Sequence, residues 1–184
     1  MRFLQLLIAA SCVTLVVSVG IARKSYSCID GTCQLNSKGT SGLAHGVCLT
    51  TCGTGNLWPY PSGEVFISSE FSPVQVSLST PFNFPDDLDL SEFRSNFLQS
   101  VGYLGKPLDA QNQKSMSVSI IVDDTSVLLP STSNDESYDL KVSTVNDVVE
   151  ITIHGQTKFG ARHGLETLSQ LITLDYFTGS LVIP

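Results

Sequence analysis

Positive charge is scarce in this chain, which carries 10 lysine and arginine residues against 17 aspartate and glutamate residues. The formal net charge is -7, and no basic stripe runs through the sequence. Nucleic acids and anionic membrane surfaces attract proteins through basic patches. The charge balance therefore argues against both as partners.

Familiar catalytic motifs are absent as well. The sequence has no H-E-x-x-H zinc motif, no G-x-S-x-G nucleophile motif and no glycine-rich phosphate loop. Its three histidines, His45, His154 and His163, lie in different regions and no motif joins them. We therefore expect no metal, no cofactor and no catalytic residue in this chain.

Paired carboxylates are present, and a glycosidase needs carboxyl groups that face one bond. They occur as Asp86-Asp87, Asp123-Asp124 and Asp135-Glu136. Adjacent residues on a strand point to opposite faces, so such dipeptides rarely act together. We interpret all three as solvated surface charges.

An apolar run from Phe3 to Ala22 opens the chain, with small residues at its end. This pattern predicts a signal peptide over residues 1–22. An uncleaved signal anchor is the alternative, because the run approaches bilayer length and Arg23 and Lys24 follow it. Either outcome delivers the rest of the chain to an oxidising compartment.

Four cysteines remain after residue 22, in the spacing C-x4-C-x14-C-x3-C within residues 23–56. An even number of cysteines outside the cell indicates disulfides, and four allow three pairings. We favour the nested pairing, Cys28 with Cys52 and Cys33 with Cys48, since two short arms folded back together would align both bridges. A zinc site is the alternative, but the spacing lacks the C-x2-C type.

Residues 57–184 are expected to form one α+β domain. Val65–Ile67 and Val74–Leu78 have strand composition. A helix follows, with Asp89 as its cap, Glu92 three residues on and Gly102 at its end. Its apolar face contains Leu90, Phe93, Phe97, Leu98 and Val101.

Three strands are predicted next, as a meander: Met116–Asp124, Ser137–Ser143 and Val148–His154. The last two alternate apolar and polar residues, and the link Thr144–Asp147 indicates a hairpin between them. A final helix over the sheet completes the pattern. The class predicted is α+β, a mainly antiparallel sheet with helices on one face.

The final helix lies in GARHGLETLSQLI, residues 160–172. Arg162 and Glu166 stand at i and i+4, which predicts an ion pair on the helix surface. Gly164 within a helix costs about 1 kcal/mol against alanine, which indicates close packing against the sheet. The buried face is expected to contain Ala161, Leu165, Leu168, Leu171 and Ile172.

The chain resembles the amino-terminal, non-catalytic region of β-N-acetylhexosaminidases of glycoside hydrolase family 20, most closely the insect chitooligosaccharide-degrading members. The resemblance rests on YSCIDGTCQL, on GVCLTTCGTGNLWPYPSGEV and on YDLKVSTVNDVVEITIHGQTKFGARHGLETLSQLI. It implies a zincin-like fold, an antiparallel sheet with helices on one face, without zinc chemistry.

The same resemblance implies an activity that belongs to a TIM barrel further along such enzymes. They remove terminal β-linked N-acetylglucosamine or N-acetylgalactosamine with retention, with the substrate's acetamido oxygen as nucleophile and a glutamate as acid. Here the chain ends before a barrel could start, so we expect it to be inactive alone. Asp135-Glu136 and Arg162 do not inherit the barrel's roles.

Partners and location follow from the same resemblance. The substrates would be β-linked N-acetylhexosaminides bound by the barrel, and a homodimer of the full-length enzyme is left open. No membrane is expected as partner unless the leader stays uncleaved. Secretion is expected, with lysosomal delivery or membrane tethering as alternatives.

A second hypothesis is a free-standing secreted module that binds chitin or a protein. Trp58, Tyr60 and Phe66 form one aromatic-rich candidate patch, although no aromatic ladder repeats along the chain. Otherwise Trp58 is expected to pack beside the disulfide arm.

Overall fold

The computed structural model of the chain describes residues 23–37, 41–53, 57–58, 60–105 and 112–184. The expected signal peptide, residues 1–22, lies outside this part of the chain. Within it, two units are distinct: a small disulfide-linked arm and a larger body built on one sheet.

The arm consists of a hairpin and a short helix. The hairpin pairs β1 (Tyr26–Ile29) with β2 (Thr32–Leu35), and the helix is α1 (His45–Thr51). The turn of the hairpin falls on Asp30 and Gly31, whose φ angles are 49° and 72°. Glycine and aspartate tolerate this left-handed backbone, which the tight turn requires.

The body contains seven strands and two helices among the described residues. In chain order they are β3 (Ser72–Gln75), β4 (Phe82–Asn83), α2 (Ser91–Gly102), β5 (Lys114–Asp124), β6 (Tyr138–Val145), β7 (Val148–Thr157), α3 (Lys158–Leu171), β8 (Thr173–Asp175) and β9 (Ser180–Ile183).

The sheet is mixed, which corrects the expectation of a mainly antiparallel one. Its strand order is β6-β7-β5-β3-β9-β8, with β4 also pairing β5. β5 pairs in parallel with β3, β4 and β7, whereas the pairs β6–β7, β3–β9 and β8–β9 are antiparallel. The long central strand β5 is therefore surrounded by parallel neighbours, and the antiparallel pairs lie toward the two edges.

The predicted meander is also wrong, because β7 lies between β5 and β6. The loop of residues 125–137, the β5–β6 loop, carries the chain past the position that β7 later fills. The hairpin itself is confirmed: Val145 pairs with Val148, and Asn146 and Asp147 adopt φ angles of 49° and 61°. Such left-handed pairs are typical of the tight turns that connect hairpin strands.

Two local expectations also need correction. Val65–Ile67 belongs to no strand, because this segment lies beside the sheet rather than in it. α2 begins at Ser91 after Leu90, which has no side-chain cap, while Asp89 Oδ1 accepts a hydrogen bond from Ser91 N at 3.0 Å. Asp89 thus closes a turn just before the helix instead of capping it.

The core lies between the helices and one face of the sheet. Register brings Met116, Val118 and Ile120 of β5 opposite Val149, Ile151 and Ile153 of β7, and all six are buried. α3 packs on these strands and contacts α2. The predicted helix faces are confirmed: Leu90, Phe97, Val101, Ala161, Leu165, Leu168, Leu171 and Ile172 are buried, and Phe93 and Leu98 pack against them.

The opposite face of the sheet is polar. It presents Ser115, Ser117 and Ser119 from β5, Glu150, Thr152, His154 and Gln156 from β7, and Asp139, Lys141 and Ser143 from β6. This alternation is the ordinary signature of a sheet with one face in water. No helix in the described part of the chain is both long and apolar enough to span a membrane.

Candidate functional site

The first turn of helix α3 lies in space beside the end of the β5–β6 loop, and Thr157 forms hydrogen bonds to both. The Thr157 hydroxyl accepts a hydrogen bond from Gly160 N at 3.5 Å and donates one to the carbonyl oxygen of Asp135 at 2.8 Å. A Cβ placed on Gly160 would lie 2.4 Å from the carbonyl oxygen of Ser137. The loop therefore rests directly on the first turn of the helix, and the glycine permits that approach.

Four charged or titratable side chains meet on the outer side of this helix, and we name them the α3 cluster: Arg162, His163, Glu166 and Glu136. His163 Nε2 lies 2.8 Å from Glu136 Oε2, and His163 Nδ1 lies 3.2 Å from Glu166 Oε2. Arg162 Nε lies 3.2 Å from Glu166 Oε1. The cluster thus joins the helix to the end of the β5–β6 loop.

The predicted Arg162–Glu166 pair is present in the structure at the i, i+4 spacing. The contact is electrostatic only, since Arg162 Nε is buried and has no hydrogen-bond partner among the described residues. Both side chains are about half exposed, so water screens the attraction and its contribution to stability is small. The sequence spacing predicts this pair but not the contact with Glu136, because Glu136 lies in the β5–β6 loop and two strands, β6 and β7, separate that loop from α3.

A groove of about 740 Å³ runs beside the cluster. It lies between the extended segment of residues 60–68, the edge strand β6 and α3, and His163 and Glu136 form part of its wall. Tyr138 and Thr167 also line it, and their hydroxyl groups share a 2.6 Å hydrogen bond. β6 and α3 also contribute apolar residues to the lining: Leu140, Val142 and Leu171.

Gly164 lets α3 approach the sheet at the inner side of this groove. A Cβ on Gly164 would lie 2.4 Å from Ile153 Cγ2 and 3.3 Å from Tyr138 Cδ2. The helix is thus held against β7 and β6 at a distance that only glycine permits without a shift of its neighbours.

Trp58 lies elsewhere than expected, because its side chain is 80% exposed rather than packed beside the arm. Its backbone is fixed by Gln170 of α3: Trp58 N donates to Gln170 Oε1 and Gln170 Nε2 donates to the Trp58 carbonyl oxygen, each at 2.7 Å. Tyr60 and Phe66 are 64% and 94% exposed. We name these three side chains, Trp58, Tyr60 and Phe66, the aromatic surface.

The four cysteines form two disulfides, Cys28–Cys52 and Cys33–Cys48, in the nested arrangement. Three sulfur atoms, those of Cys33, Cys48 and Cys52, lie close enough to surround a metal ion. All three are already consumed in disulfide bonds, and a disulfide sulfur lacks the thiolate charge that zinc requires. This cluster therefore does not fit a zinc site.

The three acidic dipeptides are exposed at all six positions. Within Asp123-Asp124 the two carboxylates have different partners, since Asp124 accepts from Ser126 and Asp123 accepts from His154 and Gln156. They therefore do not face one bond together, as a pair of glycosidase carboxyl groups would.

His154 and Asp123 form a further histidine–carboxylate contact, on the polar face of the sheet, with His154 Nε2 and Asp123 Oδ1 2.8 Å apart. The hydrogen bond from His154 holds the pKa of Asp123 below its ordinary value. The same bond, with the negative charge of Asp123 and a smaller contribution from Asp139, raises the pKa of His154. Sequence patterns miss this pair because β5 and β7 come together only through the parallel pairing.

Comparison with known proteins adds independent information. A family model described as "beta-acetyl hexosaminidase like" matches residues 54–171, from before the aromatic surface to the end of α3. Chitooligosaccharidolytic beta-N-acetylglucosaminidases of Bombyx mori and Ostrinia furnacalis are 34% and 30% identical over 139 and 161 residues, which cover 70% and 82% of this chain. A probable beta-hexosaminidase of Drosophila melanogaster is 26% identical over 197 residues, with 82% of this chain covered.

The chain spans only about a quarter of the length of these relatives. The matched segments are 23% of the Bombyx mori protein, 27% of the Ostrinia furnacalis protein and 30% of the Drosophila melanogaster protein. The similarity therefore concerns one region of longer proteins.

Proposed function

Because the chain belongs to the β-acetyl hexosaminidase-like family, we propose that it forms the amino-terminal, non-catalytic part of a secreted β-N-acetylhexosaminidase. The observation that carries this proposal is the match of the family model over residues 54–171, which include β3 to β7 with α2 and α3. The insect relatives bear names that specify chitooligosaccharide cleavage. For the full-length enzyme we propose hydrolysis of terminal β-linked N-acetylglucosamine or N-acetylgalactosamine from chitooligosaccharides, glycans or glycoconjugates.

The proposed chemistry is substrate-assisted and retaining. The acetamido oxygen of the substrate attacks the anomeric carbon while a glutamate protonates the leaving oxygen, and water later opens the cyclic intermediate. The two acids required would come from a barrel domain, not from the carboxylates described above. Glu136 and Glu166 are engaged with His163 and Arg162, which supports a structural rather than a catalytic assignment.

The direct test is hydrolysis of a chromogenic N-acetylglucosaminide by the purified chain. We expect release of chromophore at the rate of the blank, since the two acids of the proposed mechanism would come from the barrel domain. The matched control is the double variant Asp135→Asn with Glu136→Gln, which removes the chain's one Asp-Glu dipeptide. Turnover well above the blank would overturn the proposal of inactivity, and its loss in the double variant would move the acid role to this dipeptide.

Secretion is a second part of the proposal, supported by the two disulfides, which persist in oxidising compartments. Expression in insect cells should place the chain in the medium with an amino terminus near Arg23, as measured by mass spectrometry. A membrane-bound product that retains residues 1–22 would instead establish the signal anchor.

A binding module is the alternative function, and the exposure of the aromatic surface favours it. Exposed aromatic rings can stack on sugar rings or anchor a protein interface. A chitin pull-down should retain the chain and lose it on Trp58→Ala, whereas Tyr103→Ala serves as control, since Tyr103 is an equally exposed ring on another element. Absence of retention by the unmodified chain would count against this alternative.

A further inference from the structure

We propose that His163 is a pH-dependent latch between α3 and the end of the β5–β6 loop, closed by a doubly protonated imidazole held between Glu136 and Glu166. The two ring nitrogens lie 2.8 Å and 3.2 Å from oxygens of these carboxylates. An ionised carboxylate only accepts hydrogen bonds, so each ring nitrogen must donate for both contacts to be attractive. Only the imidazolium form of histidine has two N–H donors.

The neutral ring cannot satisfy this geometry. It carries one N–H, so the other nitrogen presents its lone pair to a carboxylate oxygen at close range. A proton left on Nε2 would keep the hydrogen bond to the Glu136 carboxylate, but the attraction between a positive ring and a negative carboxylate would be lost. A proton left on Nδ1 would break the contact with the loop. Loss of one proton therefore weakens the latch in either tautomer.

The His163 ring is partly buried among charged neighbours. The His163 side chain is 22% exposed, less than either carboxylate it contacts. The one permanent cation in the cluster, Arg162, already faces the other oxygen of Glu166. The other titratable side chains that line the groove are Tyr60, Glu64, Tyr138 and Asp139. Two of these four are carboxylic acids, and none is basic.

The latch acts on the wall of the groove. Two hydrogen bonds fix the backbone at the loop's end: Thr157 Oγ1 donates to the Asp135 carbonyl oxygen at 2.8 Å, and Gln156 N donates to the Ser137 carbonyl oxygen at 3.0 Å. The side chain of Glu136 then contacts His163 in the wall of the groove. Histidine is the side chain that changes charge between about pH 5 and 8. The latch is therefore closed at the acidic end of this range and loosens as the pH rises.

The first experiment observes the ring directly by ¹⁵N NMR of the 184-residue chain. At about pH 5 both nitrogens of His163 should be protonated, and the amide resonances of residues 135–137 should shift together with the ring as the pH rises to about 8. A ring that is neutral at the acidic end, or loop amides that do not follow the ring, would overturn the latch. This measurement needs no variant and so does not depend on a variant's folding.

The second experiment is a double-mutant cycle with His163→Gln and Glu136→Gln, read as the unfolding equilibrium constant at about pH 5.5 and pH 8. We expect a coupling of about fivefold at the lower pH and a markedly smaller one at the higher pH. His163→Arg is the matched control, because its permanent charge should keep the coupling to Glu136 at both pH values. Equal coupling at the two pH values with histidine present, or none at either, would refute the proposal.

Discussion

The arm and the body of this molecule are stabilised by different means. The body buries a continuous core between α2, α3 and the sheet, whereas the arm's own buried apolar side chains, Ala44 and Val47, pack on Val182 of the body. Two disulfides cross the arm, and the described body contains none. A unit of this size cannot bury enough surface to fold by itself, so covalent links and contact with a larger core replace a core of its own.

The junction between the two units is close and specific. A Cβ on Gly46 of α1 would lie 2.2 Å from Thr173 Oγ1 of β8, so the helix rests directly on the sheet's edge. Tyr176 adds hydrogen bonds to Lys24 and His45, and Arg23 donates to its carbonyl oxygen. The arm therefore depends on the body, whereas the main core of the body is formed without residues of the arm. The changes below test that asymmetry.

Leu168→Ala should have the largest effect, since Leu168 is fully buried in the centre of the body's core. Removing its side-chain methyl groups leaves a cavity and should lower the free energy of unfolding by about 3 to 5 kcal/mol. Leu129→Ala is the control: this leucine is exposed in the β5–β6 loop and its loss should change stability by less than about 0.5 kcal/mol. Denaturant unfolding measures both variants. Similar losses of stability in Leu168→Ala and Leu129→Ala would show that Leu168 does not lie in the core.

Removal of the Cys33–Cys48 bridge by Cys33→Ser with Cys48→Ser should rank second. The bridge closes a separation of 15 residues, for which the chain-entropy model gives about 3 kcal/mol. We expect hydrogen exchange to become fast in α1 and the β1–β2 hairpin while β5 and β7 keep their protection. Equal loss of protection in β5 and β7 would show that arm and body unfold as one unit. That result would contradict the independence of the body's core from the arm.

Gly164→Ala tests the packing of the body at its tightest helix–sheet contact. The added methyl group meets Ile153 at 2.4 Å, so the helix or the isoleucine must shift, at a cost of about 1 to 3 kcal/mol. Gly63→Ala is a suitable control, because a Cβ there meets nothing within 4 Å. A stabilised Gly164→Ala variant, as expected for a freely exposed helix position, would contradict the contact.

The smallest expected effect is on the dependence of stability on pH, through the His154–Asp123 pair on the polar face of the sheet. The pKa of His154 is raised above its ordinary value of 6.5 by Asp123, so its contribution is complete below pH 6.5 and is lost as the pH rises through the raised pKa. The pKa of Asp123 is lowered below 3.8 by His154, so its contribution is present above pH 3.8 and is lost as the pH falls through the lowered pKa.

His154→Gln should therefore flatten the dependence of stability on pH at both ends of that window. The change is small because the His154 and Asp123 side chains are both nearly half exposed, so that water screens their attraction. Denaturant midpoints from about pH 3 to 8 measure it, with His45→Gln as a control histidine that has no carboxylate contact in the described part of the chain. An unchanged pH profile in His154→Gln would show that the His154–Asp123 pair does not contribute to the dependence of stability on pH.

Local pattern carries most of what the sequence predicts correctly. α3 is found because its apolar residues recur at helical spacing, and the β6–β7 hairpin is found because Asn146 and Asp147 suit a tight turn. Both signals operate within one element or between adjacent elements, where chain connectivity limits the alternatives.

The errors in sheet topology share one cause, which is pairing between segments that are distant in sequence. Nothing in β5, β6 and β7 taken singly distinguishes a meander from a sheet in which β7 separates the other two. The same holds for the α3 cluster. The contact between Arg162 and Glu166 is predicted from their spacing, whereas Glu136 comes from the β5–β6 loop, which is distant in sequence. β8 and β9 are not predicted, although a glycine at position 179 followed by the β-branched Val182 and Ile183 is a hairpin signal. In the structure Gly179 adopts a φ of 73° in the turn between the two strands.

The position of β7 between β5 and β6 also orders the events of folding. The β6–β7 hairpin closes over a two-residue turn, but β5 meets β7 only after the β5–β6 loop and β6 have been made. Closing such a non-local, parallel pairing is slow, because loop entropy is lost before contacts compensate for it. The hairpin should therefore gain amide protection before Ser115–Asp124 does in pulse-labelled refolding, and the rate of the whole domain should follow the docking of that preformed hairpin on β5.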